Sequence, residues 1–163
     1  MSDTATAEHP AQEVDGLLLT LANDRLQLLL PLTAVAEILE EAPLPTPART
    51  GRPWLRGWLD WRGCAIPLLA YEGVAGGAAP PLDSHRVAVV NAIGPAAGQG
   101  FYGLAIRELP RPLRLSADSG LRTLEVEAPR GAVLVVEVRG EPALIPDFNL
   151  LEQLVIDAWQ ERG

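Results

Sequence analysis

Residues 54–69 read WLRGWLDWRGCAIPLL, and this stretch decides the fold. It places three of the chain's four tryptophans within eight residues. Apolar and polar side chains alternate as far as Trp61, Arg62-Gly63 supplies a turn, and an apolar run returns through Pro67. That pattern is a β-hairpin. Side chains alternate across a strand, so Leu55, Gly57, Leu59 and Trp61 share one side, and Trp54, Arg56, Trp58 and Asp60 share the other. The first set suits a core. The second mixes indoles with charges, which is the composition of a contact face. A Trp side chain buries roughly 150–250 Å². At about 25 cal/mol/Å² that is a gross stabilisation of roughly 4–6 kcal/mol. Two placements are therefore open for Trp54 and Trp58: a partner-binding face, or burial under a C-terminal helix or a loop.

On the N-terminal side, residues 1–13 are small and polar and read as a disordered tail. Residues 14–22 form a strand, Asn23-Asp24 a turn, and 25–30 a returning strand. Pro31 stops it. Residues 32–36 suit one helical turn with Thr33 as its cap. The segment EEAPLPTPARTGRP, with four prolines, is an extended connection into Trp54.

On the C-terminal side, residues 70–85 read as a mobile connector. Its glycines do not match a phosphate-cradling pattern. A buried-type strand at 86–93, a long turn and a return at 101–106 make a second hairpin. Residues 107–115 are extended around Pro110 and Pro112, and 116–131 are a surface connection. A strand at 132–138, a turn at 139–142 and a return at 143–145 follow. Asp147 caps a helix from Phe148 to about Gln160, with Leu150, Leu151, Leu154 and Val155 on one face and Trp159 continuing it.

The chain echoes itself. The hairpin at 17–30 is matched by that at 87–106, and the Arg-Gly turn before Ile66-Pro67 recurs as Arg139-Gly140 before Ile145-Pro146. Two lobes, each a small barrel built from hairpins, follow from this repetition.

The composition bounds the function. With 163 residues, 48% hydrophobic and 21% charged, the chain builds a real core as one domain or two small lobes. A net charge of −8 argues against a nucleic-acid partner and an anionic membrane surface. No apolar run of about 18–20 residues occurs, so direct membrane insertion is not expected. The start is polar and acidic, unlike a signal peptide, and a cytoplasmic location is expected. The one cysteine, Cys64, excludes an intrachain disulfide framework and reads as a buried, inert thiol.

Catalysis needs converging polar groups. His9 and His85 have no partner at ligand spacing, so no metal site is expected. Asp83-Ser84-His85 is adjacent in sequence, which does not make a triad. Capping and solvation explain Asp147 and Glu152. No catalytic residue and no cofactor site is expected.

From about Val14 to about Val155 the chain resembles the CheW-like adaptor domain of bacterial chemosensory arrays. Val35-Ala36-Glu37-Ile38 looks like the family's V-x-E-I. The run from Leu55 to Leu68 looks like its G-x-x-N-L-R-G-x-x-x-P-(V/I), with Asp60 and Trp61 standing where the family has Asn and Leu. Residues 102–106 resemble the second-lobe hairpin, followed by Arg107 where the family commonly has Asp, and residues 144–148 resemble the last strand and helix start. The resemblance implies a mainly β fold: two intertwined five-stranded SH3-like β-barrels with short helices and a C-terminal helix. Residues 14–160 would be a single such domain, with lobe 1 at about 26–85, lobe 2 at about 86–146 plus the N-terminal strand region, and the helix at 147–160. It implies scaffolding without catalysis. The partners would be the regulatory domain of a CheA-type histidine kinase and the helical hairpin of a methyl-accepting chemoreceptor. The Trp-rich turn and the ending PALIPD look closest to ChpC-type adaptors of type IV pilus (twitching) systems. By the same carry-over Glu37 and Arg62 pair at the lobe junction, Val35 and Trp58 contact partners beside them, and Trp54 either joins that contact or packs under the proline loop. The alternative is a double-barrel module docking an unrelated partner through its Trp-rich face.

Overall fold

The computed structural model describes residues 13–21, 26–78, 86–94, 100–116 and 120–162. Most of the expected tail, the Asn23-Asp24 turn, His9 and Asp83-Ser84-His85 lie outside them. The strands are β1 (Val14–Thr20), β2 (Gln27–Pro31), β3 (Val35–Leu39), β4 (Leu55–Trp61), β5 (Cys64–Leu69), β6 (Arg86–Asn91), β7 (Phe101–Ile106), β8 (Arg111–Leu115), β9 (Leu121–Thr123), β10 (Ala132–Val138) and β11 (Glu141–Pro146). The helices are α1 (Tyr71–Val74) and α2 (Phe148–Arg162). One sheet runs β8-β1-β2-β11-β10-β9 and the other β3-β6-β7-β5-β4. Each holds one parallel pair, β2 with β11 and β5 with β7.

The sheets explain why several strands read as unbroken apolar runs. A half-solvated antiparallel strand alternates. Here Leu17, Leu19 and Leu28 face a seam between the sheets, while Leu18 and Leu29 face a second core with Leu115, Val136 and Val138. In the other sheet Ala88 and Val90 face the seam, and Val87 and Val89 face a third core with Leu59, Trp61, Ile66 and Leu68. Helix α2 closes the seam with Leu151, Leu154, Val155 and Ala158. Its first turn is capped as expected: Leu150 N–H donates to Asp147 Oδ1 at 3.1 Å.

The Arg-Gly echo is realised as two matched turns. Arg62 and Gly63 have φ of 51° and 78°, and Arg139 and Gly140 have 49° and 86°. Positive φ at both central residues is the two-residue turn whose twist suits a hairpin. It frees Glu141 and Pro142, read as turn residues, to begin β11.

Several expectations are corrected. The helical turn is a short 3-10 turn, Leu32–Ala34, without a side-chain cap, so Thr33 is not one. Residues 35–39 are strand β3, because Val35 and Ile38 are β-branched and pair with β6. The start of the 70–85 connector is α1, all four residues buried, with the Tyr71 hydroxyl donating to the Gly131 carbonyl. Residues 121–123 add an edge strand, giving that sheet six strands rather than five. Sheet membership also cuts across the anticipated division at residue 85. Strands β6 and β7 pair with β3 and β5, and β2 joins the sheet of β1 and the C-terminal strands.

The two tyrosines test the seam. Burial, with Asp147 or Glu152 adding charge, pushes both hydroxyls well above the usual phenol range. Both therefore keep their protons in the fold after the unfolded chain has lost them. Their contribution to stability is complete below about pH 10 and is lost as pH rises beyond it. Tyr102 has no partner for its buried hydroxyl among the described residues, whereas Tyr71 has one. Tyr71→Phe should cost about 0.5–1.5 kcal/mol by removing one of the two hydrogen bonds that the Gly131 carbonyl accepts, the other coming from the Asp147 amide, and Tyr102→Phe should fall within about 0.5 kcal/mol of the parent. Urea denaturation of both variants measures the difference.

Candidate functional site

Strand β4 does not keep a simple alternation. Leu55 opposes Leu69 and Gly57 opposes Leu68, so Arg56 is the extra residue of a bulge. Gly57 has φ of 145°, and a Cβ there would sit 2.2 Å from the Thr46 carbonyl oxygen. Only glycine accommodates both that dihedral and that approach. The bulge reverses the facing: Leu55 joins Trp54 and Trp58 on the seam, and only Leu59 and Trp61 enter the smaller core. The expected grouping of Leu55 with Leu59 and Trp61 is therefore corrected.

Of the two placements open for Trp54 and Trp58, the structure has burial. They are 7% and 8% exposed. Trp58 is covered from two sides. Its backbone exchanges both hydrogen bonds with Thr46, each 2.8 Å. Its ring meets Trp159 of α2 edge-on, centroids 4.6 Å apart, and the Arg162 guanidinium lies 4.6 Å from its centroid. The end of α2 is fixed in turn, because Glu161 accepts from Arg52 Nε at 2.9 Å and from the Thr50 hydroxyl at 3.4 Å. Between segment 46–50, β4 and the last turn of α2 remains a groove of about 520 Å³.

The second cluster centres on Glu37. Its Oε1 accepts from Trp61 Nε1 and from Arg62 Nη2, both at 3.0 Å. Strands β3 and β4 are the two edges of the five-stranded sheet. The carboxylate thus ties one edge to the hairpin at the other and curls the sheet towards a barrel. A similar tie occurs in the other sheet, where Arg111 of edge strand β8 reaches Glu141 beside the second Arg-Gly turn at 3.3 Å. Arg62 stays largely exposed, 4.9 Å from the Trp61 ring centroid. Val35, on the same strand as Glu37, is half-buried.

The structure thus brings Glu37 and Arg62 together, keeps Val35 on their strand, and places Trp54 and Trp58 in the seam under α2. Sequence reasoning missed Trp61 as the third member. A buried indole needs an acceptor for its N–H, which was the available signal. It also missed Glu152, read as solvated. That side chain is buried and accepts from the amides of Ile93 at 2.8 Å and Gly94 at 2.6 Å, tying α2 to the chain after β6. Cys64, expected to be buried, is exposed. It is the first residue of β5, directly after the turn.

Two bonds converge on Glu37 and one leaves Arg62, and the ion pair is exposed. Arg62→Ala should cost less than about 1 kcal/mol. Glu37→Ala, which also strands the Trp61 N–H, should cost about 1–2 kcal/mol more. Chemical denaturation of the two variants and their double variant checks the order.

The CheW-like domain family model matches residues 15–154. The crystal structure of scaffolding protein TtCheW from Thermoanaerobacter tengcongensis superposes with a TM-score of 0.65, covering 86% of this chain and 88% of that one, at 15% identity. At that identity the likeness shows the fold. No curated protein matches the sequence. With a family model spanning most of its length, the chain belongs to the CheW-like domain family.

Proposed function

We propose that the protein is a non-catalytic scaffold of a bacterial chemosensory array, coupling a methyl-accepting chemoreceptor to a CheA-type histidine kinase through the kinase's regulatory domain. The observation that carries this reading is the Glu37 cluster. In a chain of the CheW-like family, the residues whose motif suggested a paired Glu and Arg meet at 3.0 Å, with Arg62 left exposed at a rigid turn. Exposed arginine held in one geometry is a good anchor for a partner carboxylate. Val35, Glu37 and Arg62 supply the contact, and buried Trp54 and Trp58 hold the hairpin that presents it. We place the scaffold in the cytoplasm, in a ChpC-like branch serving type IV pilus motility. The support for that branch is the Trp-rich hairpin and the PALIPD ending.

Calorimetric titration against the regulatory domain of each chemosensory kinase of the same cell tests the proposal. Micromolar binding to one of them, weakened about tenfold by Arg62→Glu, is the expected result. Trp58→Ala is a poor control, because truncating a buried Trp costs about 3–5 kcal/mol of stability. Absence of binding to every such domain would favour docking of an unrelated partner.

A further inference from the structure

The groove at the foot of α2 is not part of the Glu37 cluster. Its apolar lining is Leu55, Trp58, Ala65 and Ala158. Its rim carries Arg49 and Arg162, and about 520 Å³ is enough for two or three side chains. Neither arginine has a carboxylate partner among the described residues. Arg162 instead stacks on Trp58 and Trp159, at 4.6 and 5.4 Å. Of the two carboxylates at the rim, Glu161 is already held by Arg52 and Thr50, which leaves Asp60 alone on the acidic side. In a chain of net charge −8, this groove is locally cationic.

The backbone adds a direction. Trp58 spends both its hydrogen bonds on Thr46, a bridge beside the outer edge of β4. In an antiparallel edge the outward-facing groups recur every second residue. Asp60, two residues on, therefore directs its N–H and C=O to the same side, along the groove. An extended chain lying there gains a backbone pair at Asp60 and an apolar seat over Trp58. It can also meet the planar guanidinium forks of Arg49 and Arg162 with a carboxylate.

We propose that this groove binds an extended acidic segment of a partner protein, with a carboxylate between Arg49 and Arg162 and an apolar side chain on the Trp58 floor. The assignment goes beyond the adaptor reading and holds whichever protein supplies the segment.

The test uses a short capped peptide alternating Glu and Leu, its Gln-Leu counterpart, and a Lys-Leu counterpart. Each is titrated into the full chain and followed by indole fluorescence and calorimetry. The Glu-Leu peptide should bind and perturb the indoles, and the other two should be weaker by at least about tenfold. The double variant Arg49→Glu/Arg162→Glu should lose at least about tenfold in affinity. Arg122→Glu, on the other sheet and paired with Glu137, should bind as the parent does. Should the double variant prove misfolded by circular dichroism, exposed Arg49→Glu alone carries the comparison and should weaken binding several-fold. Equal affinity for the three peptides, equal loss in Arg122→Glu, no binding at all, or self-association abolished by the arginine changes without peptide binding would each overturn the assignment. Because the kinase regulatory domain is absent from this titration, failure here leaves the adaptor test standing by itself.

Discussion

Burial of strands on both faces is the constraint from which the rest of the structure follows. An antiparallel sheet ordinarily turns one face to water. Here both sheets present an apolar face to their own small core and another to the seam they share. The seam takes Leu17, Leu19, Leu28 and Leu30 from one sheet and Ala88, Val90, Tyr102 and Leu104 from the other. Neither sheet can leave that seam without exposing a continuous apolar surface. The helix α2 lies where the seam would otherwise open, which is why its apolar stripe meets residues of both sheets. The Trp58–Trp159 contact is the outer end of the same arrangement.

Glutamates link the elements that the β-ladders leave unjoined. Glu37 ties the two edges of one sheet, Glu152 ties α2 to the chain after β6, and Glu161 ties the end of α2 to the connection before β4. Each accepts more than one hydrogen bond, so a single carboxylate fixes two donors at once. The acidity of the chain is therefore partly structural and not only a matter of solubility.

Much of this was legible from the residues alone, and the exceptions have physical causes. The hairpin at 54–69, the strands at 101–106 and 132–138, the Asp147 cap and the two Arg-Gly turns rest on local signals: alternation, turn chemistry and capping. These are set within a few residues and survive folding unchanged. The Glu37–Arg62 pair was reached through family likeness, because nothing local connects positions so far apart. Faces and partners proved less readable. The bulge at Arg56 inverted the side on which Leu55 sits, since one extra residue shifts a period of two. Glu152 resembled any solvated glutamate, because its burial depends on a chain segment some sixty residues away (Ile93 and Gly94). The strand β9 was too short to carry a pattern of its own, and its pairing with β10 created it. The allocation of strands to sheets failed for the same reason. It depends on the pairing of β2 with β11, which leaves no mark on either sequence.

That pairing has a consequence for how the chain acquires its structure. The five-stranded sheet draws all its strands from residues 35–106, one continuous length of polypeptide. The six-stranded sheet joins the first strands of the chain to the last, with Leu28 beside Leu144. Contacts between residues so far apart in sequence carry a large loop-closure cost and form slowly. On the ribosome, strands β1 and β2 emerge early and wait, half-clothed in leucine, until β10 and β11 have been made. The middle of the molecule is thus able to assemble first. The N-terminal strands, with leucines to hide on both faces in the meantime, are therefore open to misassociation during synthesis.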